Sequence, residues 1–123
     1  MNERVKSILE HMLEDAQDAV TFANELGSLD KLVKDVKTRK AIVMSLLNIG
    51  ELVNQLPSEY KVANSEIPWK NIIGMRNYAA HGYHTMNYET IWATTQSSVP
   101  VLLAFLISQL QVNENSIKEC NEL

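Results

Sequence analysis

At 123 residues, with 46% hydrophobic residues and a net charge of −4, the chain reads as one folded domain with a real core, not as a disordered segment. No uncharged apolar run of about 18 residues appears, so no membrane span is expected, and Met1-Asn2-Glu3-Arg4 opens a charged amphipathic pattern instead of a signal peptide. The single cysteine, Cys120, excludes an internal disulfide and fits a reducing cytoplasm.

Residues 3–26 read as one amphipathic helix, with Val5, Ile8, Leu9, Met12, Ala16, Ala19, Val20 and Ala23 at helical spacing. Gly27 supplies the left-handed position that stops it. Ser28 is placed to cap a short helix through about Val36, with Leu29, Leu32 and Val33 turned inward. Thr38 is a fair cap for the next helix, which runs to about Leu56. That segment is apolar on nearly every side and is expected to be the central, most buried helix. Asn48, Glu51 and Asn54 are its polar exceptions. An ionised carboxylate in such a helix is costly unless paired. Glu51 therefore either sits on a narrow exposed edge or pairs with Arg76.

Pro57 ends that helix, and a short helical turn and connection follow over residues 58–67. Pro68 then suits the first position of a helix over about 68–81, for which Gly82 is the natural stop. A last long helix spans about 88–112. Pro100 interrupts it and predicts a kink or break near Thr95–Val99. The polar tail, about 113–123, either extends this helix or frays. No strand-period segment or repeat occurs. The fold class is all-α, an antiparallel bundle of about four to five main helices in a single domain over 1–123. Several apolar faces are broader than so small a bundle can bury, which points to a homodimer.

Charge is unevenly spread. Residues 31–40 hold Lys31, Lys34, Lys37, Arg39 and Lys40 against Asp35 alone, while residues 1–30 are acidic. Such a basic cluster either steers a phosphate ligand or is a solvated helix end. The densest chemistry lies in Met75-Arg76-Asn77-Tyr78-Ala79-Ala80-His81-Gly82-Tyr83-His84. Arginine offers a planar fork of donors suited to a phosphate, and histidine exchanges a proton near neutral pH. Together they suit RNA cleavage without a metal or other cofactor: the 2′-hydroxyl attacks its own phosphate while a base removes its proton and an acid protonates the leaving oxygen. On one continuous helix Arg76 and His81 would stand roughly 140° apart. Two copies meeting across a dimer axis would supply the second histidine. An Arg and a His near a helix end also serve ordinary structural roles, since His⁺ there is favourable against the helix dipole. His81-x-x-His84 hints at a metal pair, but His11 and Cys120 are distant and no third ligand is well spaced, so no metal site is assigned.

The run from Arg76 to Tyr83 matches the Arg-x-x-x-x-His-x-Tyr signature of the HEPN superfamily and is most similar to HepT-like toxins of HepT/MntA toxin–antitoxin systems. Ile49-Gly50-Glu51 resembles that family's central-helix motif. Ile67-Pro68-Trp69-Lys70 with Gly74-Met75-Arg76-Asn77 resembles the approach to its active site, and Ile91-Trp92 with Val99-Pro100 resembles its last helix. The likeness covers about Lys40 to Leu110. It implies a dimeric helical bundle acting as a metal-independent endoribonuclease on RNA. Arg76 and His81 would be the catalytic pair, with Asn77, Tyr83 and Glu51 in support. It also implies an antitoxin partner, a minimal nucleotidyltransferase of the MntA type, that adds AMP to Tyr83 and silences the toxin by bulk and negative charge beside Arg76. The basic residues 31–40 would then be the best candidates for added RNA contact. The alternative is a non-catalytic helical module that binds a nucleotide or serves only as partner to the nucleotidyltransferase.

Overall fold

The computed structural model describes residues 2–81 and 87–121, with side chains throughout except at residues 75, 77–81 and 112–121. The elements are α1 (Glu3–Leu26), α2 (Leu29–Lys34), α3 (Val36–Gln55), α4 (Ser58–Ala63), α5 (Trp69–His81), α6 (Tyr88–Gln96) and α7 (Ser98–Asn121). Among the described residues there is no strand. The protein is an all-α bundle in which α3 lies between α1 and α5, and α1 also packs on α6 and α7.

Asn2 caps α1, its side chain accepting the Val5 N–H at 2.8 Å. Gly27 closes α1 at φ 79°, where its N–H reaches the Ala23 carbonyl at 2.9 Å. A side chain is strained at that φ, so glycine is the residue the stop requires. The apolar stripe of α1 is buried as the periodicity predicts, except that Val20 is only half-buried and Leu26 joins the core.

Two caps differ from expectation. α2 ends at Lys34, and Asp35, not Thr38, caps α3. Asp35 accepts the Thr38 N–H at 3.0 Å and the Thr38 hydroxyl at 2.8 Å. Asp35 offers two acceptor oxygens where Thr38 offers one, and a carboxylate also suits the positive end of a helix. These bonds hold its carboxyl below the usual carboxylate range. Because α2 is so short, only Leu32 is fully buried. Leu29 is half-buried, and Val33, expected inward, is 43% exposed.

The central helix is less uniformly buried than its composition predicts. Ile42, Val43, Ser45, Leu46, Ile49, Gly50 and Val53 face α1 and α5. The opposite edge is open: Met44 is 57% exposed, and Lys40 is exposed nearby. A single bundle this thin covers α3 from two sides only.

Pro68 sits one residue earlier than expected, ahead of α5, and its carbonyl accepts the Ile72 N–H at 3.1 Å. Trp69 anchors this end. Its indole N–H donates to the carbonyls of Lys61 and Asn64, both at 3.1 Å, and its ring meets Phe105 edge-on at 5.9 Å. The predicted interruption of the last helix is a full break at Ser97, whose N–H and hydroxyl both bond the Ala93 carbonyl. Pro100 falls in the first turn of α7, where its missing N–H costs nothing. The backbone of α7 continues through Asn121, so the polar tail extends the helix.

Tyr88–Gln111 bears on the expectation that no segment spans a membrane. By length and composition alone this stretch could cross a membrane, with mean hydropathy 1.4, and 28% of it is buried in the single chain. It is broken at Ser97, however, and Ile91, Val99, Leu102, Leu106 and Leu110 enter the common core. A core helix of a helical bundle meets the same compositional test.

Candidate active site at the α3–α5 crossing

The site begins with a missing side chain. Gly50 lies on α3 where α5 crosses it, facing the backbone of Arg76. A methyl group at Gly50 would come within 3.1 Å of both Arg76 Cα and Cγ and would overlap Arg76 Cβ. Relaxed carbon–carbon contacts lie at about 3.5–4.0 Å, so no other residue permits this approach. Glycine in a helix interior forfeits about 0.5–1 kcal/mol relative to alanine. Here the close crossing is what that cost obtains. An isolated glycine inside a strongly helical apolar segment is a sequence signal for such an approach.

The crossing delivers Arg76 to Glu51. Arg76 Nε donates to Glu51 Oε1, while the Arg76 and Glu51 side chains remain 31% and 43% exposed. Both alternatives left open for Glu51 hold together: it lies on an exposed edge and it pairs with Arg76. An ion pair this accessible contributes about 0–1 kcal/mol to stability. Its consequence is orientation, because a guanidinium held at one edge has fewer ways to present the rest of its fork.

Arg76 and His81 lie on the same continuous helix, of which His81 is the last residue. Their Cα positions are therefore separated by roughly 140° about its axis. One chain does not set them on a common face of α5. Asn77 also lies on α5, but its side chain and that of His81 are outside the described residues, as is Tyr83 altogether. No cluster of three or more potential metal ligands occurs among the described residues. His11 lies on α1, where its Nδ1–H donates to the Ser7 carbonyl at 2.7 Å.

The basic segment 31–40 is smaller as a binding surface than its composition implies. Arg39 is turned inward, donating to the carbonyls of Leu32 (3.3 Å) and Val33, and its guanidinium lies 4.6 Å from the centre of the Tyr88 ring. It fastens α2, α3 and α6 together. Lys34 pairs with Asp30 at 3.0 Å on the surface. Lys31, Lys37 and Lys40 are exposed.

A second polar contact on α3 was not anticipated from sequence. Asn48, one helical turn before Glu51, donates weakly to Asp15 of α1 at 3.5 Å. Partial burial pushes the Asp15 carboxyl above the usual range, against the lowering effect of the Asn48 bond; Asp18 and Glu14 add to the rise.

The family model "Ribonuclease HepT-like" matches residues 3–108. The chain belongs to the HepT-like ribonuclease family. Among its relatives, a protein of Methanocaldococcus jannaschii named as a candidate RNase is 34% identical over 97% of this chain and 86% of its own length. A candidate RNase of Caldanaerobacter subterraneus subsp. tengcongensis is 38% identical over 76% of this chain and 83% of its own. A protein of Thermococcus cleftensis named as a candidate ribonuclease HepT is 30% identical over 73% and 84%. No solved structure matches the chain significantly. In this HepT-like chain, the matched region contains α1 through the first half of α7 and so includes the Gly50–Glu51–Arg76 crossing.

Proposed function

We propose that this protein is a metal-independent endoribonuclease and the toxin of a toxin–antitoxin pair. The observation that carries the reading is the placement of Arg76. It is seated over Gly50 and oriented by Glu51, in a chain of the HepT-like family. In this mechanism Arg76 binds the scissile phosphate and offsets charge developing on its oxygens. Histidine 81 of one copy removes the proton from the 2′-hydroxyl, whose oxygen attacks the adjacent phosphorus. The bond from phosphorus to the 5′-oxygen breaks as His81 of a second copy protonates that oxygen. The products are a 2′,3′-cyclic phosphate and a free 5′-hydroxyl. The homodimer is part of the proposal because one histidine does not easily serve as base and acid in the same in-line step, and a second copy would supply the other. The open edge of α3 around Met44 leaves room for the second copy.

Glu51 acts on Arg76 and is a positioning residue. Asn77 supports the site. Tyr83 belongs to it and is the acceptor of AMP from a nucleotidyltransferase antitoxin, which blocks phosphate access to Arg76. The reading places the protein in the cytoplasm, with its RNA.

Purified protein should cleave single-stranded RNA in the presence of a chelator, with Arg76→Ala and His81→Ala both inactive but folded. Full activity in His81→Ala would overturn the mechanism. Nucleotide binding without any RNA cleavage at high protein concentration would favour a non-catalytic partner module instead. Co-expression with the antitoxin should raise the intact mass by whole AMP units, and the Tyr83→Phe protein should show no such increase.

A further inference from the structure

A hollow of about 610 Å³ lies between α4 and the start of α5. We propose that it holds one nucleotide of the RNA chain, with the base in the hollow and the flanking phosphates on Lys61 and Lys70. The inference rests on the ribonuclease reading and names where that substrate extends beyond Arg76.

Three observations carry it. The first is the lining, which is mostly apolar: Val62, Ile67, Pro68, Trp69 and Ile73 contribute to it. Its volume falls in the range of about 300–1,000 Å³ typical of small-ligand sites. Val62 is 75% exposed, an apolar wall with nothing against it in the single chain. The floor is firm, because Trp69 is buried and its indole N–H is bonded to two carbonyls.

The second is charge. The chain carries 15 acidic and 11 basic residues, yet the hollow is lined by two lysines and no acidic residue. Neither lysine forms an ion pair among the described residues. The lining is thus positive in an acidic chain, with Glu59 and Glu66 of the same segment outside it, and a positive lining suits a polyanion.

The third is continuity with the candidate active site. Ile73 and Arg76 are three residues apart on α5, so they are neighbours on one side of the helix. Their separation along the axis is about 4.5 Å. A strand with its scissile phosphate on Arg76 can thus pass Ile73 and enter the hollow without leaving α5, its next phosphates meeting Lys70 and Lys61. Apolar contact to a base face with lysines tracking the backbone is how single strands are held without strict sequence preference.

Trp69 supplies the assay. In a Trp92→Phe background it is the sole indole, since the chain has two tryptophans. Titration with a short single-stranded RNA carrying 2′-O-methyl groups, which cannot be cleaved by 2′-hydroxyl attack, should change Trp69 emission saturably. Inorganic phosphate should not. Val62→Glu places a negative charge on the exposed wall and should weaken binding by roughly tenfold or more through repulsion of the phosphates, with its melting temperature unchanged. Lys61→Ala/Lys70→Ala should reduce the slope of log affinity against log salt by about 1.4, two phosphates at about 0.7 each for a single strand. An undiminished Trp69 response in Val62→Glu, or an unchanged salt slope in the double variant, overturns the proposal. So does a Val62→Glu protein that dissociates to monomer while binding RNA normally, for then a second copy covers the hollow. The two readings fail separately. Cleavage without any Trp69 response removes the nucleotide site and leaves the ribonuclease; a Trp69 response without cleavage supports the site and removes the ribonuclease.

Discussion

Gly50→Ala tests whether the helix crossing sets the site. The new methyl would lie 3.1 Å from Arg76 Cα and Cγ and would overlap Arg76 Cβ. Restoring contacts of about 3.5–4.0 Å requires α3 and α5 to separate by on the order of 1 Å. Overpacking of this kind costs about 1–3 kcal/mol. Replacing an interior helical glycine by alanine returns about 1 kcal/mol of helix propensity. The obstruction involves backbone and Cβ, which cannot swing away, so the upper half of the cost applies and the net loss is about 1–2 kcal/mol. The site should suffer more than the fold, since an error of about 1 Å in a catalytic group can reduce rate by roughly 100-fold. Gly74→Ala is the matched comparison: it is also an interior glycine, on α5, but a methyl there meets nothing within 4 Å. It should stabilise the fold by about 0.5–1 kcal/mol. Thermal melting, RNA cleavage and the NMR shift of the Arg76 Nε–H, which its bond to Glu51 displaces, together decide the matter. A Gly50→Ala protein with full cleavage and an unmoved Arg76 resonance would refute the reasoning.

Glu51→Gln should change melting little, because the pair is solvent-accessible, but should lower kcat by roughly tenfold through loss of orientation at Arg76; KM for RNA should stay level or fall, and a rise in KM alone would contradict a positioning role. Arg39→Met should cost about 1–2 kcal/mol by removing its carbonyl bonds and its stacking over Tyr88, yet leave the salt dependence of RNA binding unchanged; a reduced salt slope would return Arg39 to the RNA surface. Asp15→Asn should raise the melting temperature at neutral pH. The Asp15 carboxyl has a raised folded-state pKa, so its stabilising contribution is full below the unfolded value and is lost as pH rises through the folded value. The variant's advantage should therefore vanish at low pH, and an advantage independent of pH would count against burial as the cause. Asp35→Ala should behave oppositely. That carboxyl is depressed by its bonds to Thr38, so the loss of melting temperature should be largest at neutral pH and should shrink as pH falls through the depressed value.

The long elements were legible because their signals are redundant. Along α1 the apolar spacing and the Gly27 stop agree, and each helical turn repeats the same statement. Pro100 located the α6–α7 break because its steric effect is local. Single-residue caps were harder: Asp35 and Thr38 are both good caps three residues apart, and the choice depended on which could take both bonds. Exposure on α3 and α2 was misjudged for a different reason. Apolar composition reports what a helix can bury, whereas Met44 and Val33 depend on whether a neighbour is present to cover them. The basic segment was overcounted because charge in sequence does not reveal that Arg39 closes three helices together.

The candidate site shows how these two kinds of information meet. The chemistry proposed for it comes from the residue types of 76–83, since few other side chains bind a phosphate and move a proton near neutral pH. Its geometry depends on Gly50, which carries no chemistry and lies 26 positions before Arg76. Gly50 brings α5 close enough for Glu51 to reach Arg76, while the backbone of α5 carries His81 at its last position, roughly 140° from Arg76 about the axis. In the proposed mechanism the first half of the site lies within one chain and the second histidine comes from a second chain. An endoribonuclease built this way would lose activity on dilution below its dimer dissociation constant, with the loss following mass and not denaturation. Activity per chain that stayed constant through dissociation to monomer would show that one chain closes the site by itself.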